Sequence, residues 1–159
     1  MRLTDFLVEE ATVDDLVATE KVGAILELVE ALKEVRKIKP AHLKSVVEAI
    51  MERESLGTTG IGRGVAVPHA KHPSIDTLVG VVGRSKKGIS FSSLDGQPVY
   101  IIVLLVSPVK DQGPKLHLKA LEHVSRLIRN ETYLRFLRNA ASKEELIRLI
   151  REEDQEIVP

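Results

Sequence analysis

The run VYIIVLLV, residues 99–106, carries an apolar or aromatic side chain at every position. Successive side chains of a strand point to opposite faces, so this run cannot leave one face to water. It needs apolar cover on both sides, which selects an architecture with helices packed against a central sheet and excludes an exposed hairpin. Two further β-branched or apolar runs, Val65–Val67 and Leu78–Val82, are bounded by Gly, Pro and Ser, and Gly88, Asp95 and Gly96 mark turns between the second run and VYIIVLLV. A chain of 159 residues buries one sizeable core and is short for two. The expectation is therefore a single α/β domain over 1–153, a mixed central β-sheet covered by helices on both faces, with 154–159 a frayed C-terminal tail.

Helical spacing accounts for most of the rest. A short strand is expected over Asp15–Ala18, then Thr19 as the cap of a helix carrying Val22, Ile25, Leu26, Val29 and Leu32 and ending near Lys37. Pro40 suits the first turn of a second helix, with Leu43, Val46, Val47 and Ile50 as its apolar stripe and Arg53 near its end. From Pro114 onward the periodicity predicts helices over roughly 114–129, 131–140 and 142–153, the last opened by a Ser142–Glu145 capping box.

Several function classes are disfavoured by composition. Lys plus Arg and Asp plus Glu number 23 each, tryptophan is absent and aromatics make up 3%, so neither the charge nor the stacking platforms for nucleic acid are present. Without cysteine there is no thiolate nucleophile and no sulfur-ligated metal. Glu9, Glu10, Asp14 and Asp15 do not suit a signal peptide, and no apolar run reaches membrane-span length, so a cytoplasmic protein without membrane insertion is expected.

Histidine chemistry remains, at positions 42, 69, 72, 117 and 123. His42 in a first helical turn, His72 in a loop before Pro73, and His123 at the edge of an apolar face read as structural or solvated. His117 shares a helical azimuth with Leu121, Val124 and Ile128, so it points inward near a helix N-terminus, where unpaired N–H groups favour an anion. A hydrogen-bonded core histidine also satisfies that placement. His69 ends the stretch GIGRGVAVPH, residues 60–69. Pro68 donates no hydrogen bond, so the strand ladder should be interrupted there and the next side chain should lie at an edge. Gly60, Gly62 and Gly64 permit close backbone approach, but their spacing is neither a dinucleotide fingerprint nor a Walker loop.

The residues around His69 resemble the signature of the enzyme IIA domains of the fructose, mannitol and nitrogen-regulatory type in the bacterial phosphotransferase system. That signature starts from an acidic or amide residue and ends on an aliphatic-Ala-aliphatic-Pro-His run closed by a small residue. It reads here as Glu54, Ile61, Gly62, Val65, Ala66, Val67, Pro68, His69 and Ala70. The resemblance covers nearly the whole chain. It implies that His69 is the phosphorylated histidine, that His117 is the second active-site histidine and that Arg53 is the arginine beside them. It also implies a phosphate-approaching loop comprising Thr59, Gly60, Gly62, Gly64 and Pro68. Arg63 stands where relatives often have a neutral residue and reads as a local addition.

What the resemblance implies about function is a cofactor-free phosphoryl carrier. Its donor would be a histidine-phosphorylated carrier protein, its acceptor or reader an enzyme IIB or a regulatory target protein. Lys71 after PHA resembles the nitrogen-regulatory branch. A sugar-specific component with a separately encoded membrane partner and a phosphorylation-independent binding module are the alternatives. A zinc hydrolase built on His69, His72, Asp76 and His117 matches no ligand spacing, so no metal is expected, and GxSxG is absent.

Overall fold

The computed structural model describes the backbone of residues 2–110 and 113–157. Helices α1 (Lys21–Glu34) and α2 (Leu43–Ser55) precede strands β1 (Gly60–Gly62), β2 (Val65–Ala66), β3 (His69–Lys71), β4 (Val79–Ile89) and β5 (Val99–Ser107). Helices α3 (Gly113–Leu127), α4 (Glu131–Arg138) and α5 (Lys143–Ile157) complete the chain. β5 is central. It pairs antiparallel with β4 on one side and parallel with β2 and β3 on the other, while β1 pairs antiparallel with β2, so the sheet is mixed.

The two-sided demand of VYIIVLLV is met by two separate cores. Ile102, Leu104 and Val106 join the core formed with Ala24, Ile25, Leu28 and Leu32 of α1 and Val46 and Ile50 of α2. Ile101, Val103 and Leu105, one residue out of phase, join the core built with Val124 of α3, Leu134 and Leu137 of α4 and Leu146 of α5. The alternation is the period-two geometry of a strand expressed as packing.

Several local expectations are corrected. Asp15–Ala18 is not a strand, because the N–H groups of Val17 and Ala18 turn to the Glu27 carboxylate at 3.0–3.1 Å. Thr19 does not cap α1: its carbonyl, which as a cap would accept the first intrahelical bond, accepts from Ser90 N–H at 2.9 Å instead. Glu20 becomes the cap, accepting from the N–H groups of Val22 and Gly23. The helix stops at Glu34 rather than near Lys37, since Arg36 is left-handed at φ 64° and Lys37 N–H returns to the Leu32 carbonyl. Val22 and Leu26, expected on the apolar stripe, are exposed, and Ala24 and Leu28 take their place in the core.

Pro40–His42 forms a 3-10 turn leading into α2. Gly60–Gly62 and His69–Lys71 are strands where only loop was expected. At the last helix Ser142 Oγ accepts from Glu145 N–H, and the Glu145 carboxylate reaches back to Ala141 N–H. α5 runs to Ile157, into the stretch expected to fray, and residues 158 and 159 lie outside the described residues.

Candidate functional site

Pro68 splits what would be one strand into β2 and β3. Both pieces pair with β5 in parallel, Val65 opposite Ile101 and His69 opposite Leu105, and Pro68 still contributes its carbonyl to Leu105 N–H at 3.0 Å. β3 ends the sheet's strand order, so His69 stands on an edge strand, half-buried. Its Nδ1 lies 2.7 Å from the Val67 carbonyl. A carbonyl only accepts, so Nδ1 carries the proton and the Nε2 lone pair is left outward. Burial lowers the His69 pKa and the Arg53 charge adds to the effect; the Val67 bond and the Glu54 charge oppose them without reversing the direction. The ring is therefore neutral and nucleophilic at neutral pH.

His117 meets it from α3. The two imidazole centroids are 5.0 Å apart, and His117 is buried, as its azimuth predicts. Its Nδ1 is hydrogen-bonded to the Ser107 hydroxyl, which leaves Nε2 as the nitrogen available to a group on His69. Burial first, then the charges of His69 and Lys71, push the His117 pKa down to about 4. Arg53, in the last turn of α2, gives Nη1 to the Gly57 carbonyl at 3.0 Å and lies near enough for its charge to bear on His69.

Behind these residues stands Glu54. Its carboxylate accepts the Thr59 N–H on both oxygens at 3.2 Å, the Thr59 hydroxyl, and Lys21 Nζ at 3.0 Å. Thr59 in turn accepts the Val67 N–H at 3.0 Å, so a continuous path runs from Glu54 through Thr59 and Val67 to the His69 ring. This gives a physical reason for an acid or amide at the first position of the motif: the group must accept hydrogen bonds. Ser107 is the other contributor that sequence reasoning passed over. Its one signal was a hydroxyl at the end of an otherwise apolar strand.

Not every expected site residue joins this cluster. Thr59 and Pro68 flank it. Gly60 is buried in β1, where a Cβ would come within 2.5 Å of Ser93 Oγ, so close packing requires the glycine there. Gly62, Arg63 and Gly64 are at the other end of the strand: the Gly64 carbonyl accepts from Tyr100 and Ile101 N–H, whereas His69 is level with Leu105. Four strand residues separate those levels, about 13 Å. The glycines at 62 and 64 serve the β1–β2 turn, with φ of 101° and 76°, and do not approach His69.

His72 is buried rather than looped out into solvent. Its Nδ1 accepts from Ser74 N–H at 3.1 Å, and its Nε2 meets Ser45 Oγ at 2.9 Å, turned to α2. Asp76 is exposed. Among the described residues no three His, Asp or Glu side chains are grouped to hold a metal ion. The site thus pairs a neutral imidazole bearing an outward lone pair with a second imidazole and a guanidinium, which suits attack on an electrophilic, anionic centre.

Comparison with known proteins points the same way. The family model described as the phosphoenolpyruvate-dependent sugar phosphotransferase system, EIIA 2, matches residues 5–153. The chain is similar to a nitrogen regulatory protein of Bradyrhizobium diazoefficiens, 36% identical over 87% of each chain. It is also similar to the fructose-specific EIIABC component of Bacillus subtilis, 33% identical over 98% of this chain and 24% of that longer protein. Among solved structures, the nitrogen regulatory protein IIA-Ntr of Neisseria meningitidis superposes with a TM-score of 0.80 at 26% identity, covering 92% of this chain and 97% of that one.

Proposed function

The chain belongs to the EIIA 2 family of the phosphoenolpyruvate-dependent sugar phosphotransferase system, and from that premise we propose that it is a phosphoryl carrier of nitrogen-regulatory type whose acceptor atom is His69 Nε2. The observation that carries this reading is the Val67 carbonyl on His69 Nδ1, which fixes the tautomer and aims the free lone pair outward. In the transfer, the Nε2–phosphorus bond forms as the phosphorus–nitrogen bond of a histidine-phosphorylated carrier protein breaks, and the departing imidazole takes back its electron pair. Charge on the equatorial oxygens is met by the Arg53 fork and by His117 Nε2, so positioning and donors supply the catalysis. Phosphate then passes to an IIB protein, or the phosphorylation state of His69 is read by a regulatory target. Among the described residues no helix is long and apolar enough to cross a membrane, in keeping with a carrier working in the cytoplasm.

Incubation with phosphoenolpyruvate and the two general phosphotransferase proteins tests the proposal by mass. Gain of one acid-labile phosphoryl group by the wild type and none by His69→Ala is the expected result. An unmodified wild type would favour a phosphorylation-independent binding module, and a labelled His69→Ala would move the acceptor elsewhere. Similarity to the fructose-specific protein over 98% of this chain favours a sugar-specific component as the second reading. Onward transfer to a fructose-type IIB protein would select it.

A further inference from the structure

A groove of about 600 Å³ opens at the end of the sheet remote from His69, between the β1–β2 turn and α4. Arg63, Asp95, Tyr100, Glu131, Arg135 and Arg138 line it. The volume lies in the range of small-molecule sites, roughly 300–1,000 Å³. None of the three guanidiniums has a carboxylate within ion-pair distance among the described residues, although Asp95 and Glu131 share the groove. Asp95 is committed to the turn, where its carboxylate accepts the N–H groups of Arg63 and Gln97 at 3.2 and 3.0 Å.

Two of the three arginines, Arg138 and Arg63, are held in place. The Arg138 guanidinium lies over the Tyr100 ring at 3.7 Å, and such stacking orients its fork at reduced entropic cost. Tyr100 is itself fixed: a Cβ at Gly64 or at Gly88 would come within 3.2 Å of its ring, and both glycines have positive φ. Arg63, left-handed at φ 59°, gives Nη1 to the Arg129 carbonyl at 3.0 Å. Beneath α4 the fully buried Arg84 donates Nη1 to the carbonyls of Leu137, Arg138 and Ala140 at 2.9–3.2 Å, clamping the helix end that carries Arg138. Among the described residues Arg84 has no carboxylate partner either, so its charge adds to the positive potential at that end.

We propose that this groove is a second ligand site, for a small organic phosphate that also bears hydroxyl groups. Guanidinium forks on several sides match a tetrahedral phosphate dianion. Asp95 and Glu131 would repel a second acidic function, as in a di- or tricarboxylate, but accept hydrogen bonds from hydroxyls. A sugar phosphate and a nucleoside monophosphate share this chemistry. The site is distinct from the phosphoryl site and stands whether or not His69 is the acceptor.

The test is titration of the full 15N-labelled chain with glucose 6-phosphate, AMP, inorganic phosphate and glucose. Saturable shifts at the amides of Arg63, Gly64, Tyr100 and Arg138 are expected with one of the organic phosphates, at least tenfold tighter than with inorganic phosphate and absent with glucose. Which of the two binds identifies the source. His69→Ala should bind as the wild type does, and Arg138→Met should lose tenfold or more in affinity. Arg63→Asn, which tolerates the left-handed backbone, provides a second variant from the other wall should Arg138→Met fail to fold. Shifts centred on His69 and His117, equal non-saturating shifts with all four solutes, or undiminished binding in a folded arginine variant would overturn the assignment.

Discussion

Glu54 links helix α2 to the active strand, and removing its carboxylate should be costly in a predictable way. The side chain is 2% exposed and accepts both the N–H and the hydroxyl of Thr59, itself buried. Glu54→Ala orphans those two groups at about 1–3 kcal/mol for a buried polar group left unpaired. Lys21, with 18% of its side chain exposed, can turn to water and adds little. The expected loss is about 3 kcal/mol, which moves the urea midpoint down by roughly 2 M at a slope of about 1.5 kcal/mol/M. Glu54→Gln keeps a carbonyl oxygen for Thr59 and gives up only charge, so about 1 kcal/mol is expected. Far-UV circular dichroism against urea at pH 7, on both variants and the wild type, measures all three. An alanine variant within about 1 kcal/mol of wild type, or a glutamine variant as unstable as the alanine one, would refute the hydrogen-bond account. The path through Thr59 and Val67 adds a second readout: the 15N signature of a protonated His69 Nδ1 should weaken in Glu54→Ala and persist in Glu54→Gln.

Two other predictions concern the site directly. Arg53→Ala and His117→Ala should each slow phosphate uptake on the order of a hundredfold, about 3 kcal/mol by analogy with loss of one oxyanion donor, with the final extent of labelling less affected; wild-type rates would remove these residues from the chemistry. His117 has a folded pKa of about 4 against the ordinary 6.5, so the unfolded chain takes up its proton first. That stability contribution is complete above about pH 6.5, is lost as pH falls toward 4, and is constant below. The urea midpoint should drop across that window, less steeply in His117→Gln, and parallel profiles would contradict the burial of a neutral ring.

Much of the architecture was legible because it rests on periodicity. Six of the positions in VYIIVLLV, Ile101 to Val106, could be assigned to one face or the other by parity, and α3, α4 and α5 followed from apolar spacing that tertiary contacts did not override. Helix boundaries were less legible, since the long-range pairing of Thr19 with Ser90 moved the cap one residue on, to Glu20. The inward turn of His117 could be read from its helix, and the edge position of His69 from Pro68. The fate of the glycines could not. Whether Gly62 and Gly64 sit near His69 depends on which way β1 folds back along β2, a register fixed by the turn at Arg63 and by long-range pairing with β5. The burial of His72 was hidden for a related reason, because its partner Ser45 lies 27 positions earlier on α2.

The assignment of alternate β5 side chains to two cores bears on how the molecule opens. Residues Ile101 to Val106 are all buried, and each helical layer is seated on one side of the same backbone. Removing α1 and α2 would bare Ile102, Leu104 and Val106 while the other layer still gripped Ile101, Val103 and Leu105, an exposure too large for a partly open state to bear. The two layers should therefore unfold in one cooperative step. The amides of β5 should exchange with solvent only through global unfolding, at matching rates for odd and even residues.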